Sequence, residues 1–134
     1  MLIAAQHKQS LFHQIGGEDG VRALVETFYD IIEQDADAAP LLRLHQQGHG
    51  VAHSRAEQFN YLCGFFGGPQ YYVMKHRHAR LREIHEHVPI GPEMRDLWLD
   101  CMRKAIDQRA IAPALATQLM NHFTRAAEIS RNMD

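Results

Sequence analysis

The sequence predicts an all-α domain. Apolar residues recur at three- and four-residue spacing along nearly the whole chain, no run alternates with period two, and the breaks fall at glycine and proline. At 134 residues the chain has the length of one domain, 1–134, with residues 1–10 expected as a loose N-terminal extension. Hydrophobic residues make up 46% and charged residues 22%, an ordinary soluble composition. Fourteen Lys and Arg are interleaved with sixteen Asp and Glu, a net charge of -2 that leaves no electrostatic footprint for nucleic acid. The opening MLIAAQHKQS has no long apolar core and no run approaches a membrane span, so a cytoplasmic protein without a membrane partner is expected. Cys63 and Cys101 lie in apolar helical patterns without a CxxC pair, which predicts buried small hydrophobes rather than a disulfide.

A short first helix covers Leu11 to Ile15 and stops at Gly16-Gly17. Glu18 and Asp19 suit the positive end of a second helix, whose apolar stripe reads Val21, Leu24, Val25, Phe28, Ile32 and fades near Asp35. Tyr29 borders that stripe. DADAAPLLRLHQQGHG reads as a helix end, a turn, a short apolar piece and a glycine-bearing loop. A third helix runs from about Ala52 to Phe66, with Phe59, Leu62 and Phe65 or Phe66 inward, and Gly67-Gly68-Pro69 terminates it. Residues 70–77 read as loop or broken helix. HARLREIHEHVPIG (78–91) predicts a helix of about two turns ending at Val88-Pro89, because the residue before proline avoids helical geometry. Gly91-Pro92-Glu93 opens a long helix with Met94, Leu97, Trp98, Cys101, Met102 and Ala105 on one side. The last, roughly Pro113 to Asn132, buries Leu115, Leu119, His122 or Phe123, Ala126 and Ile129. That makes five or six amphipathic helices.

Ten histidines are many for a chain of this size. On a helix His78, Leu81, His85 and Val88 share a face with Ile84 beside them, whereas His87, two residues past His85, lies about 200° round. His78 and His85 would be about 10 Å apart along the axis, too far to share one mononuclear ion, so a structural zinc site is a weak reading. A metal needing one protein ligand fits better. Haem iron takes four bonds from the porphyrin and one from an imidazole, and His85 on its apolar face meets that demand. A satisfied core histidine is the bland alternative for any lone case.

Four motifs then bear on the choice: LFHQIGG (11–17), FGGP (66–69), HARLREIHEHVPIG (78–91) and RDLWLDCM (95–102). Together they resemble the truncated haemoglobins of the second group, over about Leu11 to Ser130. The resemblance implies a truncated globin, a two-over-two α-helical sandwich around haem b, with His85 as the proximal iron ligand. It further implies that Tyr29, from the Phe28-Tyr29 pair, and Trp98, thirteen residues after His85, donate to the ligand. By position Ser54 and Gln58 look into the pocket and His45 stands at the corner after the second helix. Phe28, Leu62, Tyr72, Leu81, Arg82 and Val88 complete the expected haem contacts, with Tyr72, Lys75, Arg77 and Arg82 as propionate candidates. The chain departs from the family at Arg77 and Ala79, where glycine and proline are usual, and at His87 and Val88 in place of Pro-Phe.

The expected function is reversible binding of O2, NO or CO by haem b, with polar donors stabilising partial negative charge on the ligand in a dry pocket. Oxygen transport, sensing, NO dioxygenation and peroxidase-like turnover are not separated by sequence, and turnover would need an external electron donor. A monomer or weak homodimer is expected, and whether His45 or water reaches the sixth iron site is open. The alternative of another class is a non-haem helical module using the surface histidines His76, His78 and His87 for metal capture or a protein partner.

Overall fold

The computed structural model describes residues 9–134, so residues 1–8 of the expected extension lie outside the described residues. Ser10 is already part of the fold. Its hydroxyl accepts from the His13 amide at 3.1 Å and caps α1 (Leu11–Ile15). Gly16, at φ 106, closes α1 in the left-handed region and lets α2 (Gly17–Gln34) start at once. Glu18 and Asp19 occupy the first turn of α2. The predicted stripe is buried on α2, and it is wider than expected: Tyr29 and Ile31 join it.

The segment after α2 corrects the loop reading. Asp35 accepts from the Asp37 amide at 2.9 Å, a 3-10 turn spans Ala36–Ala38, and Pro40 sits in the first turn of α3 (Ala39–Gln47), with Leu41 in the core. α4 (Val51–Phe65) is as predicted to within a residue, and Phe66, just beyond it, is buried. Residues read as loop or broken helix form α5 (Tyr71–His76), which Arg77 stops at φ 72. α6 is only Leu81–His85, shorter than the predicted two turns. The long α7 (Pro92–Gln108) and α8 (Pro113–Ser130) complete the chain. The described residues therefore hold eight α-helices rather than five or six, the additional ones being short.

α2 packs on both α4 and α7, and α8 packs on α7, so one helix pair faces another. α5 rests on α4, α6 rests on α8, and α3 spans α2, α4 and α7. The core runs through α2, α4, α7 and α8 and takes in both cysteines, Cys63 and Cys101. Burial pushes each thiol up to about 11, which keeps it protonated and inert. Ile129 was expected inside, yet it is 46% exposed, while Ser130 turns inward and donates to the Ala126 carbonyl at 2.9 Å. No helix among the described residues is long and apolar enough to cross a membrane.

The α1–α2 corner depends on one small residue. A Cβ on Gly20 would lie 1.9 Å from the Ile15 carbonyl oxygen, a backbone atom that cannot swing aside. Gly20→Ala should therefore cost about 2 kcal/mol through overpacking, read as a lower urea midpoint at unchanged slope. An unchanged midpoint would show that the corner relaxes freely.

Candidate functional site

A cavity of about 410 Å³ opens between the helix pairs. Leu41, Leu44, Leu62, Leu81, Ile84, Val88, Met94 and Phe123 give it apolar walls from six segments of the chain. His85 enters from the last residue of α6. Its Nδ1 lies 2.8 Å from the Leu81 carbonyl oxygen, and a carbonyl can only accept, so the ring proton is on Nδ1. The neutral imidazole then keeps the Nε2 lone pair free. Burial holds the His85 pKa below the usual histidine range, and His45, on the same cavity, adds to that shift.

A second, polar set lines the same space. Tyr29 comes from α2, His45 from α3, Ser54 and Gln58 from α4, and Trp98 from α7. The Tyr29 ring is 2% exposed and meets the His45 ring edge-on at 5.6 Å. Burial pushes the Tyr29 hydroxyl well above the usual phenol range, outweighing the opposite pull of Arg55 and of the Ser54 hydroxyl. It stays protonated at any ordinary pH and can donate. His45 is tied like His85, its Nδ1 2.8 Å from the Leu41 carbonyl oxygen.

Leu62, Tyr72, Leu81 and Val88, the expected haem contacts, also line the cavity. Phe28 and Arg82 do not. Phe28 lies behind the wall, fully buried, with its ring 4.9 Å from Tyr29 and 5.0 Å from Trp98. Its neighbour Tyr29 takes the facing position, one residue being about 100° of helix. Arg82 is likewise one residue past Leu81 and is turned to solvent. None of the candidate cations Lys75, Arg77 and Arg82 lines the cavity; Arg95, missed by the sequence reading, does, held by Glu128 at 3.1 Å and Asp96 at 3.0 Å. His78 does not share the His85 face, because it precedes α6. There its Nδ1 accepts from the Arg80 amide at 3.1 Å.

Three further residues carried no signal in sequence. His49 and His53 stand at the cavity with rings 4.7 Å apart. Asn132 clasps the end of α6 from beyond α8: its Nδ2 donates to the His85 carbonyl at 3.1 Å and to the Val88 carbonyl at 2.8 Å. The Ile90 amide donates to its Oδ1 at 2.9 Å. α6 has no fully buried residue and no side-chain cap at its start, so this remote clasp joins its packing on α8 in holding His85's segment.

Residues 10–132 match the family described as bacterial-like globin. The chain belongs to the bacterial-like globins. The globin is similar to a group II two-on-two haemoglobin of Agrobacterium tumefaciens, with a TM-score of 0.88 and 35% identity over 97% of this chain and 99% of that one. It is equally similar in shape to the cold-adapted truncated haemoglobin of the Antarctic bacterium Pseudoalteromonas haloplanktis TAC125, at TM-score 0.88 and 33% identity over 94% of this chain and 100% of that one. The group 2 truncated haemoglobin YjbI of Bacillus subtilis strain 168 is 32% identical over 91 residues, 68% of this chain and 65% of that relative's length. The fold is accordingly the two-on-two haemoglobin sandwich.

Glu57 of the globin lines the cavity and ties α4 to α5, its carboxylate receiving Lys75 Nζ at 2.6 Å and His76 Nε2 at 2.5 Å. Burial alone would raise its pKa, but Lys75 and His76 bring it below the ordinary carboxylate value. A depressed folded-state pKa stabilises above the unfolded value and is lost as pH falls through the folded one. Glu57→Gln should therefore unfold more easily than wild type at neutral pH, and the gap should close in acid as pH falls through the lowered pKa of Glu57. Urea titrations at both pH values check this, and a gap that persists in acid would refute the ionic link.

Proposed function

We propose that this globin binds haem b through His85 and reversibly holds O2, NO or CO beside Tyr29, Trp98 and Gln58. The observation that carries the reading is His85: a neutral imidazole, its Nδ1 proton committed to Leu81, stands in an apolar cavity whose walls also carry a protonated phenol. That donor set fits a haem, which needs one imidazole from the protein and a flat apolar enclosure. Haem, when bound, supplies an open iron position where a diatomic ligand is held.

The chain's own groups supply the rest. His85 is kept neutral by burial and oriented by the Leu81 carbonyl, so the Nε2 lone pair needs no proton removed before it binds iron. The Tyr29 hydroxyl, the Trp98 indole N–H and the Gln58 amide are donors that line the cavity together, and in a dry site each stabilises partial negative charge more than it would in water. His45 and Ser54 stand beside Tyr29 on the same cavity wall. The same donors serve NO dioxygenation or peroxidase-like turnover when an external electron donor is present. The surface-histidine alternative loses support from placement. His76 goes to Glu57, His78 lies 3.8 Å from Glu83, and His87 is 89% exposed beside Glu86. No three His, Cys, Asp or Glu side chains among the described residues converge on a metal position.

Reconstitution decides the matter. Wild type given haem should show a Soret band that His85→Ala loses or strongly weakens, and Tyr29→Phe should raise the O2 off-rate about tenfold, the loss of one good hydrogen bond. A normal spectrum in His85→Ala would remove His85 as ligand, and an unchanged off-rate in Tyr29→Phe would remove its donor role.

A further inference from the structure

The two halves of α4 are held to the protein by different forces. All its buried side chains, Phe59, Leu62 and Cys63, lie in the second half. The first half, which carries Ser54 and Gln58 to the cavity, has only the partly buried Val51 against the core. What binds it to α2 is Arg55. One guanidinium nitrogen donates to Asp30 at 2.8 Å and also to Glu33, and the other donates to the Glu26 carbonyl at 3.3 Å and pairs with its carboxylate at 3.3 Å. Glu26, Asp30 and Glu33 recur at helical spacing and form one acidic face of α2 turned toward a single cation.

The clamp also touches the functional wall directly. The Arg55 guanidinium carbon is 5.8 Å from the centre of the Tyr29 ring, and the side chain is only 19% exposed. Arg55 follows Ser54, the neighbour of the Tyr29 hydroxyl, and precedes Gln58 by three residues. A planar fork can meet three carboxylates and a carbonyl at once, whereas a lysine ammonium on a flexible stem cannot hold that geometry. The carboxylates are about half exposed, so the clamp adds little to overall stability. Its value is in register.

We propose that Arg55 is a positioning residue for the cavity: it fixes the first half of α4 on α2 and thereby sets Ser54 and Gln58 against Tyr29. This rests on the haem reading of the site, but its chain-level consequence can be measured separately. Arg55→Gln and Arg55→Lys are made in the wild-type and Tyr29→Phe backgrounds as haem-loaded protein. O2 off-rate, the infrared stretch of bound CO and amide hydrogen exchange are recorded for each.

Arg55→Gln should speed O2 loss about fivefold and shift the CO stretch, with Arg55→Lys recovering part of both. In the Tyr29→Phe background both effects should shrink clearly without vanishing, because Ser54 and Gln58 are still displaced but no longer from a phenol hydroxyl. Exchange should rise over residues 52–58 and stay as in wild type over 59–65. Equal off-rate effects in both backgrounds, or exchange rising evenly along α4, overturn the proposal. If wild type takes up no haem, the reading of the site falls, and the exchange pattern alone still judges the clamp.

Discussion

Between the two helix pairs runs a column of aromatic rings whose contacts decide where space is left in the core. Phe28 of α2 meets Trp98 of α7 at 5.0 Å, Trp98 meets Phe123 of α8 at 5.5 Å, and Phe123 stacks on Phe65 of α4 at 6.1 Å. Edge-on and offset rings of this kind resist compression and pack with fixed orientation. Each of the four core helices contributes to the column, so none can move inward without displacing another. The cavity is the volume the column leaves beside it, and Trp98, Phe123 and Phe65 serve both as core and as wall. This is also why Phe28 gives up the cavity to Tyr29: the column needs Phe28 behind the wall.

The long helices were legible from their stripes, because a four- or five-turn element must bury one face to be stable. His85 was legible for a related reason, an imidazole on a short apolar face. α3, α5 and the true extent of α6 were not. α3 buries only Leu41, and α5 and α6 bury no residue fully, so periodicity had little to report. Their limits come from Pro40, from Arg77 in the left-handed region, and from Asn132 at the other end of the chain. Arg82 and Arg95 show the same limit in the site. Charge in the right neighbourhood of sequence pointed to Arg82, yet only the packing of α7 on α8 brings a guanidinium to the cavity.

The near-zero net charge conceals an ordered pairing. Arg55 joins α4 to α2, Glu57 joins α4 to α5, Arg95 joins α7 to α8, and Lys104 reaches Asp35 at the end of α2 at 2.6 Å. Each link connects two different elements, and Arg55, Glu57 and Arg95 lie on or next to the cavity wall. Such pairs contribute little stability singly in water. Their common effect is on alignment, since the apolar core fixes that helices touch while these links fix how far each is turned.

The Asn132 clasp has a consequence in time. α6 has neither a fully buried side chain nor an N-terminal cap of its own, and both the helix it packs on, α8, and its clasp, Asn132, come late in the chain. A chain is made from its N-terminus, and α2 and α4 can meet while later residues are still inside the ribosome. The wall bearing His85 cannot yet form. It becomes rigid only after α8 and the residues beyond it have emerged, about fifty residues after His85 itself was synthesised. The His85 wall and the last core helix are thereby completed together, and an unfinished chain presents its imidazole on an unanchored turn.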